Sequence, residues 1–240
     1  MSTPTVLNNV DHKDLKVDTR PSAFTGYQVN RTRIYASEVS ELHKEFPLVF
    51  HKDSESGDIQ IHAILGLSKD ENLFLDDNGW ITRYVPALLG RGPFSIAYRE
   101  SDDAAPQPFI CVDTDDPRIN ETEGEPVFMP MGGESGYLSY VKRALQTIEA
   151  GTQYNKTLFA LVEEMELLEH VNIEVKLSNV EQVNFSNYYT INQDKLSQLS
   201  GEALARLSQF GMLGPLYFIV SSLANFQRLI DLKNAKSSLL

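Results

Sequence analysis

Residues 78–94 read NGWITRYVPALLGRGPF and place Arg83 and Arg91 among Trp80, Tyr84 and Phe94, with Pro86 and Pro93 fixing the backbone direction. A guanidinium has five donors and a flat face, so it can clamp a carboxylate and stack on a ring. Clusters of aromatic residues and arginine anchor many interfaces. The same residues would also suit a core segment, with the rings inside and the arginine stems covering their edges. Trp80, Arg83, Tyr84, Pro86, Arg91 and Phe94 are therefore the candidate residues for binding a ligand or partner. In this reading the rings form one wall and the arginines its rim. Arg91, between two glycines, is expected to be the freer of the two.

No other stretch dictates a reaction. The five histidines, His12, His43, His51, His62 and His170, have no i, i+4 pairing, and there is no Cys-x-x-Cys. No metal or cofactor is expected on that ground. His62 alternates with apolar residues in IQIHAIL, which suggests a solvated strand face. The acidic run DTDDPRINETEGE (113–125) has Pro117 and Arg118 where a calcium loop needs its glycine, and Gly124 where it needs its last glutamate. A solvated turn is the simpler reading. MGGESG (131–136) precedes a helix but lacks the lysine of a phosphate loop. No serine lies in a Gly-x-Ser-x-Gly elbow, and Cys111 sits in an apolar run where a buried thiol is the default.

The bulk numbers narrow the partner. With 33 acidic against 21 basic side chains the net charge is -12, which repels nucleic acid and anionic membrane surfaces. The single cysteine suits a reducing compartment, and the first residues lack the basic start and apolar run of a signal peptide. A cytoplasmic location is expected. The most apolar segment, LGPLYFIVSSLANFQRLI (213–230), is interrupted by polar residues, so a buried helix is expected rather than a membrane span.

The elements that must position these residues change character along the chain. Residues 1–22 are polar and aperiodic and read as a loosely held arm. A strand over 25–36 leads into a short helix, with Ser37 as its N-cap and Val39, Leu42 and Phe46 on one face. LVFHK and IQIHAILGL form a strand pair around DSESGD. WITRYVPALL leaves the turn LDDNG, and Pro86 excludes a central strand. PFSIAYRE and PFICVDT are two more strands. GYLSYVKRALQTIEAG (136–151) and NKTLFALVEEMELLEH (155–170) each have helical spacing. A hairpin turns at Ser178–Asn179. Two helices follow, near 201–210 and from about Leu216 to Leu232, separated by Gly211, Gly214 and Pro215. The fold class is α+β: a β-rich N-terminal half on a mainly helical C-terminal half with an added hairpin. The arm apart, residues 23–240 read as one domain, with a subdivision near residue 130 left open.

The ordered set FPLVF, then GW-x-x-RYVPA with its following PF, FICVDTDDPRI, GYLSYVKRALQTIEAG and NKTLFALVEEMELLEHVNIEV, resembles the bacterial SapC family. So does the C-terminal run from YYTINQDKLSQLSG to SSLANFQRLI. The chain departs from the family pattern at GRGPF and at VFMPMGGES. The resemblance implies an accessory part in nutrient uptake or in peptide or tryptophan modification. Together with the residues it leads to an expected cytoplasmic, non-enzymatic binding protein that engages a protein, peptide or small anionic ligand. The alternatives are an enzyme with dispersed catalytic residues and a surface-layer structural protein.

Overall fold

The computed structural model describes residues 4–21, 26–53, 56–99, 106–176 and 182–237. The class is α+β, and the chain forms two compact units whose segments interleave. The first holds residues 1–28, 75–81 and 87–146; the second holds 29–74, 82–86 and 147–240. Both units are assembled from segments far apart in sequence.

In the first unit the N-terminal residues are not an arm. Thr5–Val6 pairs antiparallel with Cys111 and Val112, extending the hairpin of Phe94–Arg99 and Gln107–Val112 into a three-stranded sheet. Lys16–Val17 is the middle strand of a second small sheet, between Ile119–Asn120 and Glu125–Pro126. Two-residue strands leave no periodic trace, and their partners lie about a hundred residues away. Leu15 and Val17 join Phe94, Val112, Val127, Leu138 and Val141 in the core of this unit. Leu75–Asp76 and Gly79–Trp80 form a tight ladder around the Asp77–Asn78 turn, with Gly79 at a φ of 130°. Beyond it no strand runs through Pro86, and a helical turn, Ala87–Gly90, starts just after it.

The second unit is built on an antiparallel five-stranded sheet. Its order runs from Leu168–Lys176 through Gln182–Ile191, Leu48–Lys52 and Ile59–Ile64 to the edge strand Arg31–Ile34. The expected hairpin around DSESGD is present. The turn expected at Ser178–Asn179 lies outside the described residues. Val39, Leu42 and Phe46 are fully buried as their spacing requires. Ser37 is not the cap of that helix: a 3-10 turn begins at Ala36, and the Glu38 carboxylate accepts from the Tyr35 amide at 3.0 Å. Ser37 instead donates to the Thr147 carbonyl at 3.2 Å.

The two helices expected over 136–170 are one helix, Gly136–Glu164. Gly151 sits inside it, since a glycine costs an interior position only about 1 kcal/mol. A Cβ there would lie 2.4 Å from the Cβ of Tyr35, so the glycine is what allows helix and strand end to meet. Leu168 leaves the helix for the sheet. At the C-terminus, Asn192 and Ser200 cap Gln193–Ser197 and Gly201–Gln209. The long terminal helix is broken into Leu213–Ser222, a 3-10 turn, and Phe226–Ser237. Leu216, Ile219 and Phe226 are buried as expected, whereas Phe218, Leu223 and Ile230 are half-buried. Among the described residues no single helix is long and apolar enough to cross a membrane. Phe226→Ala should lower unfolding free energy by about 3 kcal/mol, read from urea melts. An unchanged midpoint would show that this helix face is not held by packing.

Candidate functional site

The six residues singled out in 80–94 divide between the units. Trp80, Arg91 and Phe94 belong to the first; Arg83, Tyr84 and Pro86 belong to the second. Phe94 is completely buried and meets Tyr137 edge-on at 6.3 Å, so its ring is core. Trp80 is half-buried and lies edge-on to Tyr27 at 5.9 Å; its indole nitrogen is buried without a partner among the described residues. Arg91 is half-buried and donates to the Phe94 carbonyl. It also helps hold the nearby Asp116 carboxyl in its charged form. The expectation that Arg91 is the freer arginine is thus reversed, because the Gly90–Gly92 turn folds its side chain back on its own backbone.

In the second unit Arg83 is exposed, and its backbone amide donates to Glu45 at 2.9 Å. The Tyr84 hydroxyl donates to Glu38 at 3.3 Å, and Pro86 is buried. Arg83→Ala should stay within about 0.5 kcal/mol of the parent stability. Arg91→Ala should cost about 1–3 kcal/mol through the carbonyl it leaves unmet. Thermal melts of the two variants check the order.

Around the first-unit residues runs a buried polar cluster that the sequence alone did not reveal. Arg118 grips Asp116 through two side-chain bonds, of 2.8 and 2.7 Å, and is in hydrogen-bond contact with Tyr27. Burial pushes the Asp116 carboxyl up, but the Arg118 bonds outweigh it and leave the group below its ordinary range. Burial raises the phenols of Tyr27 and Tyr137. The DPR turn is therefore a partly buried ion pair, where a solvated loop was expected. Among the described residues no group of three or more His, Cys, Asp or Glu side chains could hold a metal.

The richer chemistry lies on the sheet of the second unit. His62 is 92% buried, contrary to the solvated face expected of it, and so are Ile61, Ala63 and Ile64 around it, so both faces of its strand are covered there. Its ring lies 5.3 Å from that of His51, which lies 5.6 Å from the Tyr188 ring. The Gln60 side-chain oxygen is 3.0 Å from His62 Nε2, so that nitrogen carries the hydrogen and Nδ1 is left as an acceptor. Nδ1 of both His51 and His62 is buried without a partner among the described residues. Burial, with Arg31 and Arg33 adding to it, holds His62 neutral and lowers its pKa to about 3; His51 is lowered for similar reasons.

Arg31 and Arg33 stand on the edge strand of this sheet, both exposed. Arg31 donates to the Tyr188 hydroxyl at 2.6 Å, and Arg33 lies over the Tyr35 ring at 5.5 Å. Neither has a carboxylate partner among the described residues, whereas Arg20, Arg118, Arg206 and Arg228 all do. Beside them, Arg33, Tyr35, Asp58, Lys156, Phe159 and Glu163 line an open groove of about 430 Å³. None of these groove residues was legible as a site. The only local signals were the i, i+7 spacing of Lys156 and Glu163 and the hairpin turn that carries Asp58.

Fold and groove together define an α+β protein with a charged, ligand-sized cleft at one sheet edge. The SapC family model matches residues 7–229 of the 240, and the chain belongs to the SapC family. No curated protein and no solved structure matches it.

Proposed function

We propose that this chain is a cytoplasmic, non-enzymatic accessory protein that binds an anionic group carried by a protein, a peptide or a small molecule. The observation that carries the reading is the pair Arg31 and Arg33. In a chain where acids outnumber bases by 33 to 21, two exposed guanidiniums two residues apart have no carboxylate partner among the described residues. A local positive spot in a negative surface gives an anion one place to dock. Arg83, also exposed, adds to the basic character of the same unit. A link to nutrient uptake or to peptide or tryptophan modification is part of the proposal.

The test is co-purification of the tagged chain from its native cell, compared with Arg31→Ala/Arg33→Ala. Loss of an acidic partner or anionic metabolite from the variant supports the reading. An unchanged set of partners sinks it. A second reading, an enzyme with dispersed catalytic groups, is favoured by one specific observation: two imidazoles side by side, each Nδ1 buried without a partner among the described residues, a state suited to a general base. Mass-detected turnover in a metabolite screen that is abolished by His51→Gln decides for it.

A further inference from the structure

The five-stranded sheet of the second unit ends in two edges that differ in what they could accept. One is the four-residue strand Arg31–Ile34 and the other the nine-residue strand Leu168–Lys176. Among the described residues neither has an outer neighbour. An open edge offers a row of free N–H and C=O groups to any strand that fits, and proteins blunt such edges by shortness and by charge. The Arg31–Ile34 edge has both protections. A second copy laid antiparallel on it about Thr32 would set Arg31 against Arg33 twice, and like charges directly opposite are destabilising.

The Leu168–Lys176 edge is long, and its side chains match where the other edge clashes. Glu169, His170, Asn172 and Glu174 are exposed along it, while Val171 and Ile173 are half-buried. Successive side chains on a strand point to opposite faces, so His170, Asn172 and Glu174 share one face and Val171 and Ile173 the other. The ladder with Gln182–Ile191 has an irregularity here: Val171 pairs with Tyr188 and Ile173 with Phe185. That is two steps on this strand against three on its neighbour. The extra residue therefore lies in the neighbour, and the outer edge keeps its alternation.

We propose that this edge pairs antiparallel with the same edge of a second copy of this chain, joining the two sheets into one. A two-fold axis perpendicular to the sheet keeps each face on its own side, so the axis passes through a residue position. Set at Asn172, the middle of the strand, it places Asn172 opposite Asn172, His170 opposite Glu174 and Val171 opposite Ile173. The last two pairings each occur twice. An imidazole N–H then donates to a carboxylate on one face, and the apolar pairs cover each other on the opposite face. Moving the axis by one residue either way parts His170 from Glu174. The net charge of -12 on each copy opposes association at long range, but at physiological salt that field falls off within about 8 Å. The interface lies at the opposite edge of the sheet from Arg31 and Arg33, and it does not depend on anion binding there.

Sedimentation equilibrium of the full chain from about 1 µM to about 1 mM tests it. The mass is expected to rise from 27.0 kDa towards twice that value. His170→Glu sets a carboxylate against Glu174 at both ends of the pairing and should weaken the dimer about tenfold. The swap His170→Glu/Glu174→His should restore it. Within one chain the two positions lie about 13 Å apart along the strand, so the restoration can act only between copies. Both side chains are exposed, and thermal melts confirm that each variant is folded. Asn172→Cys should close a disulfide between copies on oxidation, because the two positions are directly opposite. Glu169→Cys, whose two copies would lie about 20 Å apart, should not. The chain's own Cys111 is buried. A mass of 27.0 kDa throughout the range overturns the proposal. So does a dimer lost in His170→Glu and not regained in the swap. A dimer that His170→Glu leaves intact and Asn172→Cys fails to link uses another surface, and it overturns the proposal as well.

Discussion

Acidifying the protein from pH 6.5 towards 3 should remove roughly 4–5 kcal/mol of stability through His62 alone, at a slope approaching 1.4 kcal/mol per pH unit. His62 has an ordinary pKa of 6.5 and a folded value of about 3, because burial and then the charge of Arg31 disfavour the imidazolium. In that interval the unfolded chain binds a proton that the folded chain does not. Stability therefore rises with pH across the window and is lost as pH falls from 6.5. The loss is complete only below 3. Against the 5–15 kcal/mol typical of a domain this is a large fraction. Carboxylates held below their ordinary range, such as Glu71 and Asp116, lose their contribution at lower pH, below about 4.5. The interval from 6.5 to 4.5 thus isolates the histidine effect, with a smaller part from His51, also lowered. Urea melts at pH 7.5, 6.5, 5.5 and 4.5 should show it. His62→Asn should start from a lower stability and follow a much flatter acid limb. An equal slope in parent and variant would mean that water reaches the His62 imidazolium freely.

Phe94→Ala should cost about 3–5 kcal/mol, because the ring is wholly buried among Val17, Val112, Val127 and Leu138 and its removal leaves a cavity as well as a lost transfer term. The effect should be confined to the first unit. Trp80 lies in that unit against Tyr27, so its fluorescence reports the unfolding directly. A loss under 1 kcal/mol would mean that the ring is packed loosely enough for the site to collapse around the gap, and it would reopen a ligand role for Phe94.

Short-range chemistry was legible from the residues themselves. The hairpin around Asp53 and Asp58, the helix from Gly136, the break at Gly211 and the α+β class all follow from periodicity and turn residues, which act over a few positions. So does the burial of Val39, Leu42 and Phe46, because helical spacing puts them on one face. Membership of the family was readable for the same reason: ordered local motifs survive without knowledge of contacts.

What tertiary structure decided were the matters settled by partners distant in sequence. Gly151 looks like a helix end until Tyr35, over a hundred residues earlier, requires a position without a Cβ. Residues 4–21 look unstructured until Cys111, Ile119 and Glu125 pair with them. The alternation around His62 cannot say whether one face of the strand or both are covered, and in the fold Ile61, His62, Ala63 and Ile64 are all buried. Arg91 and Arg83 are the same residue type in one short segment. Only the path of the backbone determined that Arg91 folds onto the Phe94 carbonyl while Arg83 stays in solvent. The groove beside the edge strand is the extreme case: an edge strand, a hairpin tip and one helix face supply its four charged residues, which share one wall only once the three are brought together.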